Sequence, residues 1–330
     1  MKQKILVVVQ EYPQVSETYI KNELDALEKS YDLELLALMP GNCPYRSRRP
    51  HIVLSQANQT NVVDYLKRFG PAIIHAHYLA ILGIVFEIAR RLNVPFTIRA
   101  HSFDVLGSDL AKMNLRAIGS SPLFRGVLCF PFMRQRLIDA GLPERKVFAC
   151  NPVIDVLRFR DLAPNGADIM NVGAALPKKN MEDFIALSKL VPERTFNLYG
   201  LGYDTPRLME VNAGMGGRVT FVPPVDPEDM PGEYKKHCWL VYTASRTINT
   251  VGWPMALIEA QASGVGVCVQ RIREDLRDYV GDAGSFFEAP EDLVDVLRTN
   301  PPETMRKAGF EWASQFDYRL QLHVLTDLWH

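Results

Sequence analysis

Short apolar runs rich in β-branched residues alternate along this chain with amphipathic stretches, and this alternation limits its fold more strongly than any other feature. Strands that alternate with helices pair in parallel, so the pattern predicts an α/β architecture. Between two of the runs, Ile20, Leu24 and Leu27 recur at helical spacing. Ser16 or Thr18 is available to cap that helix. The strands predicted in this half are residues 5–9, 33–39, 72–74, 96–98, 127–130 and 146–149, with a further helix over 79–92.

A break near residues 152–167 divides the chain into two similar series. Pro152, Pro164 and Gly166 supply turn chemistry there, which is typical of a linker. A second series follows, with strands predicted at 169–172, 196–199, 219–222, 239–242, 265–269 and 285–287 and helices near 181–190, 204–213, 254–263 and 291–298. We therefore expect two Rossmann-like domains, residues 1–155 and 156–310, whose parallel sheets face a central cleft.

The last part of the chain has a helical pattern from Pro302 onwards. The apolar stripe predicted for it comprises Trp312, Phe316, Leu320, Val324 and Leu328. We expect residues 311–330 to form a C-terminal helix that returns to pack on the first domain.

The composition is that of an ordinary folded protein, with 330 residues of which 47% are hydrophobic and 23% charged. The apolar run at residues 5–9 ends at Gln10 and is too short for a signal peptide or a membrane span. The five cysteines are scattered and form no Cys-x-x-Cys pair. This usage favours a reducing, cytoplasmic compartment.

Charge differs between the two halves, although the whole chain carries only −1. Residues 1–160 hold 21 Lys and Arg against 14 Asp and Glu, a balance of +7, which leaves 16 against 24, or −8, for residues 161–330. A basic first half favours contact with an anionic membrane surface or with anionic substrates. The alternative is an ordinary scatter of solvated surface charge.

Two lysines stand between a predicted strand and a predicted helix of the second half, where Lys178 and Lys179 follow Gly173. Backbone amides and a helix N-terminus at such a place can hold a phosphate, to which a lysine adds a point charge. The alternative is that both lysines are solvated residues before a surface helix. Gly200, in a Gly-x-Gly segment after the next strand, indicates only a turn.

Glu259 lies in an apolar stretch that follows Gly252 and ends at Gly264, which we expect to cap the helix. A buried carboxylate needs hydrogen-bond donors, and the vicinal hydroxyls of a ribose would supply them. A glutamate on the solvent face of the helix is the alternative.

Three histidines end neighbouring strands of the first half. His75 and His77 close one strand, and His101 follows another, three residues before Asp104. We expect all three imidazoles at the same edge of the sheet, where they can bind sugar hydroxyls, move protons or ligate a metal ion. Because His-x-His has no firm third partner here, we expect no metal, and we expect His75 to be structural.

Together these motifs resemble the retaining glycosyltransferases of family 4, which have the two-domain GT-B fold, and the similarity extends over nearly the whole chain. Of the segments that carry it, residues 252–264 are the most specific. The segments are 12–23, similar to the Pro-x-x-Ser-Glu-Thr-Phe opening of the branch that makes cell-surface polysaccharides and glycolipids; 74–77 and 100–104, similar to His-Ala-His and Ala-His-Gly-x-Asp; 150–159, similar to Asn-Gly-Val-Asp-x-x-x-Phe; 173–179, similar to Gly-Arg-Leu-x-x-x-Lys; and 252–264, similar to Gly-Phe-Gly-x-x-x-x-Glu-Ala-x-Ala-x-Gly.

The resemblance implies roles for particular residues. Lys179 would hold the donor pyrophosphate, Glu259 the ribose hydroxyls, and His101 would lie beside the anomeric carbon, and these are the expected catalytic residues. The expected donor contacts are Gly173, Lys178, Lys179, Gly200, Gly252, Trp253, Met255, Ala256, Leu257 and Glu259. The expected acceptor contacts are Ser16, Glu17, His77, Arg99, His101 and Asp104. Because the leaving phosphate is thought to take the acceptor proton in this family, no protein nucleophile, cofactor or metal ion is expected.

Three positions depart from the family pattern. Ala174 stands where the family has arginine, Val251 where it has the first of two paired glutamates, and Pro254 where it has glycine. The loss of a charged pyrophosphate contact costs about 1.5–3 kcal/mol unless another cation replaces it. The candidate replacements are Arg99, Lys178 and Arg246.

The resemblance thus implies a hexosyltransferase that moves a sugar with retention from a UDP- or GDP-sugar to a saccharide or lipid-linked acceptor. It would work in the cytoplasm, on the inner face of the membrane, without nucleic acid. One alternative is a family member that binds nucleotide or glycan without catalysis, a hypothesis favoured by Ala174 and Val251. Another is a sugar-nucleotide epimerase of the same architecture, which would interconvert the donor without an acceptor.

Overall fold

A computed structural model of the chain describes residues 2–14, 17–43, 49–107, 109–248 and 250–330. The chain separates into two compact units. Unit 1 holds the described residues as far as Val153 together with Tyr318–His330, and unit 2 holds Ile154–Asp317. Each unit contains one parallel sheet with helices between its strands, as the sequence pattern predicts.

The sheet of unit 1 has seven strands, β1 (Lys4–Tyr12), β2 (Asp32–Pro40), β3 (Ile52–Val53), β4 (Ile73–His77), β5 (Phe96–Arg99), β6 (Phe124–Cys129) and β7 (Val147–Ala149). They lie in the order β3-β2-β1-β4-β5-β6-β7, and neighbouring strands are parallel. The helices between them are α1 (Thr18–Glu28), α2 (Gln59–Phe69), α3 (Leu82–Leu92), α4 (Ser102–Leu106), α5 (Leu115–Gly119) and α6 (Arg134–Asp139).

Successive side chains of β1 enter apolar clusters on opposite faces of this sheet. Leu6 and Val8 belong to one cluster. Ile5 and Val7 belong to the other. Because side chains alternate along a strand and both faces are covered, every one of these positions is apolar. A buried parallel strand therefore appears in the sequence as a continuous apolar run.

Helix α1 covers one face of the sheet and buries the three apolar residues that its spacing predicts. It begins at Thr18, and its N-cap residue is Glu17, whose side chain makes no capping hydrogen bond. The prediction of a cap at Thr18 is therefore wrong, and Ser16 lies outside the described residues.

The sheet of unit 2 has six strands, β8 (Asp168–Val172), β9 (Phe196–Tyr199), β10 (Val219–Phe221), β11 (His237–Tyr242), β12 (Gly266–Gln270) and β13 (Gly284–Phe287). Their order is β10-β9-β8-β11-β12-β13, again with parallel neighbours. The helices of this unit are α7 (Val156–Phe159), α8 (Glu182–Leu190), α9 (Thr205–Met215), α10 (Met230–Lys235), α11 (Met255–Ala262), α12 (Asp275–Val280), α13 (Val294–Arg298) and α14 (Glu303–Ser314). Within the described ranges, no helix has the length and apolar character of a membrane span.

The predicted elements differ from the structure in a few places. Strand β6 begins three residues earlier than predicted, at Phe124. Strand β3 has only two residues, too few to show a periodicity, and is missing from the prediction. Helix α7 lies inside the segment whose composition predicts a linker. Short elements escape prediction because they carry too few residues for a repeat.

The tail of the chain departs most from its predicted form. One continuous stripe is predicted, but α14 ends at Ser314 and two short helices follow, α15 (Tyr318–Gln321) and α16 (His323–Thr326). Asp317 lies between α14 and α15, and its carboxylate accepts the backbone N–H of Val156 at 3.1 Å. Leu320 is 56% exposed rather than part of a buried stripe.

The end of the tail belongs to unit 1. Leu325 and Trp329 join an apolar cluster of that unit. The N–H of the Trp329 ring donates to the hydroxyl of Thr97, at a distance of 3.1 Å. The returning segment is predicted to start at residue 311, whereas residues up to Asp317 group with unit 2.

Candidate active site

In unit 2, the loop after β8 packs closely against the loop after β9. Gly173 has a φ of +152°, and its N–H donates to the carbonyl oxygen of Tyr199 at 3.1 Å. A Cβ atom at Gly200 would lie 3.4 Å from the carbonyl oxygen of Gly173, and one at Gly202 only 2.3 Å from that of Ala175. Gly202 is therefore the glycine that this approach requires, although the sequence indicates only a turn there.

Lys179 extends from this loop to the end of β11. Its Nζ atom donates to the hydroxyl of Tyr242 and lies 4.6 Å from the centre of that ring. The hydroxyl of Thr243 donates to the carbonyl oxygen of Lys179 at 2.7 Å, and the N–H of Ser245 donates to that of Lys178 at 2.9 Å. These contacts hold both lysines at the carboxyl edge of the sheet, where open α/β sheets bind ligands.

Both lysines are half-buried cations, and no carboxylate among the described residues pairs with either. Burial lowers the pKa of Lys179 to about 8. Burial, together with the charge of Lys179, lowers the pKa of Lys178 to about 8. A bound anion would relieve this arrangement, and the loop has the charge of an anion site.

Glu259 lies in α11, and its side chain is buried at 9% exposure. The hydroxyl of Tyr234 donates to one of its carboxylate oxygens at 2.9 Å. Burial raises the pKa of Glu259. The alternative that Glu259 faces solvent is therefore wrong, because α11 buries every position from Leu257 to Ala262.

The segment before α11 is held by a network that sequence reasoning missed. The side chain of Val251 is buried at 2% exposure, and its carbonyl oxygen accepts from Arg273. Arg273 forms a two-point ion pair with Asp275, with N–O distances of 2.7 and 3.0 Å. Asp275 also accepts from the ring N–H of Trp253 at 2.7 Å, and that ring stacks on Tyr279 at 4.6 Å. Val251 is therefore a core residue that fixes the loop.

Several predicted donor contacts lie in the first turn of α11 or just before it. Gly252, before the helix, and Met255 and Ala256, in its first turn, are half-buried. The side chain of Leu257 is fully buried, and its N–H donates to the carbonyl oxygen of Pro254 at 3.2 Å. The donor contact of Leu257 stays a prediction.

The three candidate replacements for the family arginine have different surroundings. Arg246 is exposed and pairs with Glu288 on the surface. Arg99 is buried in unit 1 and pairs with Glu23. Lys178 is the candidate that forms no ion pair among the described residues, and it lies beside Lys179 in the loop after β8.

At the carboxyl edge of the unit 1 sheet, two of the predicted histidines meet. Nδ1 of His77 and Nε2 of His101 are 3.3 Å apart. The Asp104 carboxylate accepts the backbone N–H groups of His101, Leu79 and Ala80 at 3.0, 3.0 and 3.2 Å. Asp104 is thus occupied in joining the loops after β4 and β5, and burial raises its pKa.

Glu23 lies at the centre of a buried charge network under this edge, and the sequence predicts no function for it. Its Oε1 atom is 2.7 Å from Nε2 of His75 and 3.5 Å from Nε2 of His77. Its Oε2 atom is 2.7 Å from Nε of Arg99, which also donates to the thiol of Cys150 at 2.9 Å. Burial opposes ionisation, but Arg99 and the two histidines hold the pKa of Glu23 well below its ordinary value.

This network bears on two sequence predictions. Arg99 is predicted to contact the acceptor, and it lies buried in unit 1, where its Nε faces Glu23 and one terminal nitrogen donates to Cys150. Its acceptor contact stays a prediction. Glu23 supplies the third partner that the His-x-His pair lacks in the sequence, and it lies with His75 and His77 in a geometry that could hold a metal ion. Here, however, the Arg99 cation already neutralises the carboxylate, and the absence of metal stays a prediction.

Tyrosines surround His101 on its other side. The hydroxyl of Tyr78 donates to Glu17 at 2.6 Å and is hydrogen-bonded to that of Tyr19. The rings of Tyr78 and Tyr19 lie 4.2 and 4.8 Å from that of His101. Tyr78 has a φ of +76°, a strained conformation of the kind that clusters at functional sites. Of the residues on this side of His101, the sequence predicts an acceptor contact only for Glu17. Ser16, the neighbouring predicted contact, lies outside the described residues.

Comparisons with known proteins bear on both units. The family model of the glycosyl transferases of group 1 matches residues 166–299. No curated protein matches the sequence. The crystal structure of Anabaena HepE in complex with UDP and glucose has a TM-score of 0.75 at 16% identity, over 99% of each chain.

Two further solved structures are similar along the whole chain. The sucrose-phosphate synthase of Thermosynechococcus elongatus has a TM-score of 0.69 at 16% identity, over 99% of this chain and 97% of that chain. The lipopolysaccharide outer core galactosyltransferase WaaB has a TM-score of 0.62 at 15% identity, over 99% of each chain. At such identities the likeness shows the fold, and the prediction of two Rossmann-like domains of the GT-B type is confirmed.

Proposed function

The model of the group 1 glycosyl transferases matches residues 166–299, and from this premise we propose that the protein is a retaining glycosyltransferase. It moves a hexose from a nucleotide sugar to a saccharide or lipid-linked acceptor. UDP-sugars are the first donors to test, with GDP-sugars beside them, because HepE was crystallised with UDP and with UDP-glucose.

One observation carries the proposal most directly. Lys178 and Lys179 lie half-buried at the carboxyl edge of the unit 2 sheet, with no carboxylate paired to either among the described residues. A diphosphate brings two negative charges to such a site, and lysines suit it as point charges. Glu259, in the helix that follows β11, supplies the acceptor atoms that a ribose needs.

In the proposed reaction the protein positions and stabilises charge. Lys179 and Lys178 neutralise the diphosphate as it leaves, so that neither a metal ion nor a protein nucleophile is required. The leaving phosphate takes the proton of the acceptor hydroxyl on the face from which it departs, which gives retention. His101 lies near the anomeric carbon, and Glu17 and His77 are the proposed acceptor contacts. Preorganised charge of this kind is the main contribution that such a site makes.

The roles in the donor site can be tested by single substitutions. A donor panel in a thermal-shift assay identifies the nucleotide sugar first, because a ligand that binds the folded state raises its stability. With that donor, Lys179→Ala and Glu259→Ala should each lower kcat/KM about 10- to 100-fold, since each removes a charge-assisted contact.

Lys189→Ala is the matched control. It removes the same charge from the exposed end of α8, and its kcat/KM should stay close to that of the wild type. If neither Lys179→Ala nor Glu259→Ala changed the rate of transfer, the assignment of the donor site would be wrong.

A second candidate function rests on Val251. Family members have a glutamate at this position, whereas Val251 is buried and offers only a carbonyl oxygen that Arg273 already occupies. A protein that binds nucleotide or glycan without catalysis would fit this departure. Calorimetry that detects binding across the donor panel, together with no transfer and no hydrolysis, would favour that function over the first.

The acceptor and the location are part of the same proposal. WaaB is by name a lipopolysaccharide outer core galactosyltransferase, which favours a saccharide or a lipid-linked saccharide here. The balance of +7 over residues 1–160 favours attraction to an anionic membrane surface on the cytoplasmic side. Sedimentation with vesicles of anionic and of neutral lipid tests this attraction, which should weaken as salt is raised.

A further inference from the structure

A series of close polar contacts, some of them hydrogen bonds and some ion-pair contacts, crosses the core of unit 1. The ring N–H of Trp329 donates to the Thr97 hydroxyl at 3.1 Å, and that oxygen lies 2.9 Å from Nδ1 of His75. The Thr97 hydroxyl has two lone pairs and one proton, so it can receive the indole proton and still either accept from His75 or donate to it. On the other side of the His75 ring, Nε2 lies 2.7 Å from Oε1 of Glu23, an ion-pair contact without hydrogen-bond geometry.

The charge state of Glu23 decides which ring nitrogens in this series of contacts donate and which accept. Arg99 holds Glu23 in its ionised form, so the carboxylate can only accept hydrogen bonds. Nε2 of His77 lies 3.5 Å from Oε1 of Glu23, a distance at which the two atoms make no hydrogen bond but the negative charge favours a proton on Nε2 over a lone pair. Burial lowers the pKa of His77 to about 3, so this ring is neutral and carries a single proton. With that proton on Nε2, the Nδ1 atom of His77 is left as an acceptor.

The next contact joins His77 to His101 in the candidate active site. Nε2 of His101 lies 3.3 Å from Nδ1 of His77. His101 is also neutral, because burial and the neighbouring His77 hold its pKa well below the ordinary value. An acceptor at Nδ1 of His77 requires a donor at Nε2 of His101. The single proton of His101 is thereby placed on Nε2, and its Nδ1 atom carries a lone pair.

We propose that Glu23 is a positioning residue which, through His77, fixes the tautomer of His101. The inference deepens the proposed glycosyl transfer and rests on it for its consequence. With Nδ1 as an acceptor, His101 receives a hydrogen bond from a sugar hydroxyl and cannot donate one at that atom. The buried carboxylate thus decides which groups His101 can bind, without touching the substrate itself.

Glu23→Gln tests which ring nitrogens donate in this series of contacts. Arg99 is a donor and will hold the amide oxygen of the substituted side chain, which turns the amide NH₂ towards Nε2 of His75 and His77. That NH₂ can only donate, so His77 must carry its proton on Nδ1 and give it to Nε2 of His101. We expect the proton of His101 to move from Nε2 to Nδ1, and kcat/KM to fall about 100-fold.

The measurement is direct and independent of activity. In a long-range ¹H–¹⁵N correlation spectrum of the full chain labelled at its seven histidines, protonated and unprotonated ring nitrogens give separate signals. Single His→Gln substitutions assign them. In the wild type, His77 and His101 should both appear as Nε2–H tautomers. Thr97→Val, which alters only the branch through His75, should leave the tautomer of His101 as it is.

Two substitutions at His77 keep the proposal testable if Glu23→Gln fails to fold. Both leave the ion pair of Glu23 and Arg99 in place. In His77→Gln the amide can donate to Glu23 and accept from His101, so the Nε2–H tautomer of His101 should persist. His77→Leu removes that acceptor, and a mixture of both tautomers should appear, with the greater loss of kcat/KM.

Two outcomes would overturn the inference. One is a wild-type His101 that carries its proton on Nδ1. The other is an Nε2–H tautomer of His101 that persists in both Glu23→Gln and His77→Leu. If the tautomers behave as expected but no donor is turned over, Glu23 does position His101, and the proposed transferase function is what fails.

Discussion

Burial changes the acid–base chemistry of individual side chains in both units. It lowers the pKa of Lys178 and of Lys179 to about 8, and it raises the pKa of Glu17 to about 7 despite the hydrogen bond from Tyr78. These groups therefore titrate close to neutral pH, where ordinary lysines and glutamates do not. Functional sites are often built from such shifted groups, and here they lie in the two proposed binding regions.

Donor affinity should depend on the charge of the lysines. As pH rises through about 8, Lys178 and Lys179 lose the positive charge that a diphosphate needs, so the affinity for UDP should fall about tenfold from pH 7 to pH 9. In Lys179→Arg the cation remains at pH 9, and the decline should be shallower. Calorimetric titrations of both proteins with UDP at these pH values test this, and identical slopes would contradict it.

Glu17 should make stability depend on pH. Its pKa is about 7 in the folded protein against an ordinary 4.5, so between these values the unfolded chain releases the proton first. The folded state binds more protons there, and the contribution of Glu17 is complete below about pH 4.5 and is lost as pH rises through 7.

The matched comparison uses Glu17→Gln, which removes the titrating group. From pH 5 to pH 8, the free energy of unfolding of the variant should rise relative to that of the wild type by about 1–3 kcal/mol. Urea denaturation at both pH values measures the difference. A constant difference would mean that Glu17 titrates normally in the folded protein.

At the scale of elements, the end of helix α11 requires a glycine that packs closely against α14. Helix α11 ends at Ala262, and Gly264, which follows the C-cap residue Ser263, has a φ of +75° as expected of a glycine that closes a helix. A Cβ atom there would lie 2.7 Å from Cζ of Phe310 in α14. The end of α11 and the packing of α14 thus require the same residue.

Gly264→Ala should therefore lower the free energy of unfolding by about 1–3 kcal/mol, through backbone strain and contact with Phe310. Gly214→Ala is the control, since Gly214 lies in α9 with no atom within 4 Å of an added Cβ. There alanine should stabilise the protein by about 0.5–1 kcal/mol. Denaturation of the three proteins gives both values, and a loss at Gly214 similar to that at Gly264 would refute the explanation.

At the scale of the whole molecule, the chain begins and ends in the same unit. Trp329 closes the core of unit 1, where its ring contacts Tyr31 and His75 and its N–H donates to Thr97. The last residues therefore stabilise the unit that holds His77 and His101, although they follow all of unit 2 in the sequence.

Trp329→Ala should destabilise unit 1 by about 3–5 kcal/mol, because it leaves a cavity and an unsatisfied partner at Thr97. Amide hydrogen exchange should show the loss of protection in β1, β4 and β5, while α11 in unit 2 keeps its protection. Leu320→Ala, at an exposed position of the same tail, should change neither. A uniform loss over both units would show that the tail does not act through unit 1.

The sequence by itself determined the two series of parallel strands, because a strand covered on both faces must be apolar along its length, as β1 is. It also identified Lys179 and Glu259 through local spacing and family motifs, and His77 and His101 as ends of neighbouring strands. Each of these signals lies within a short stretch of chain and can be recognised without knowledge of the fold.

The tertiary structure alone decided which of these groups meet and what each can do. Glu23 gained its importance from contacts with His75 and Arg99, both of them distant in the sequence. Arg99, predicted to face an acceptor, is enclosed by the same contacts. The tail is not one helix, and between its helices Asp317 binds the backbone of Val156. Hydrogen bonds and ion pairs between distant segments leave no periodic trace in the sequence, so only the folded chain reveals them.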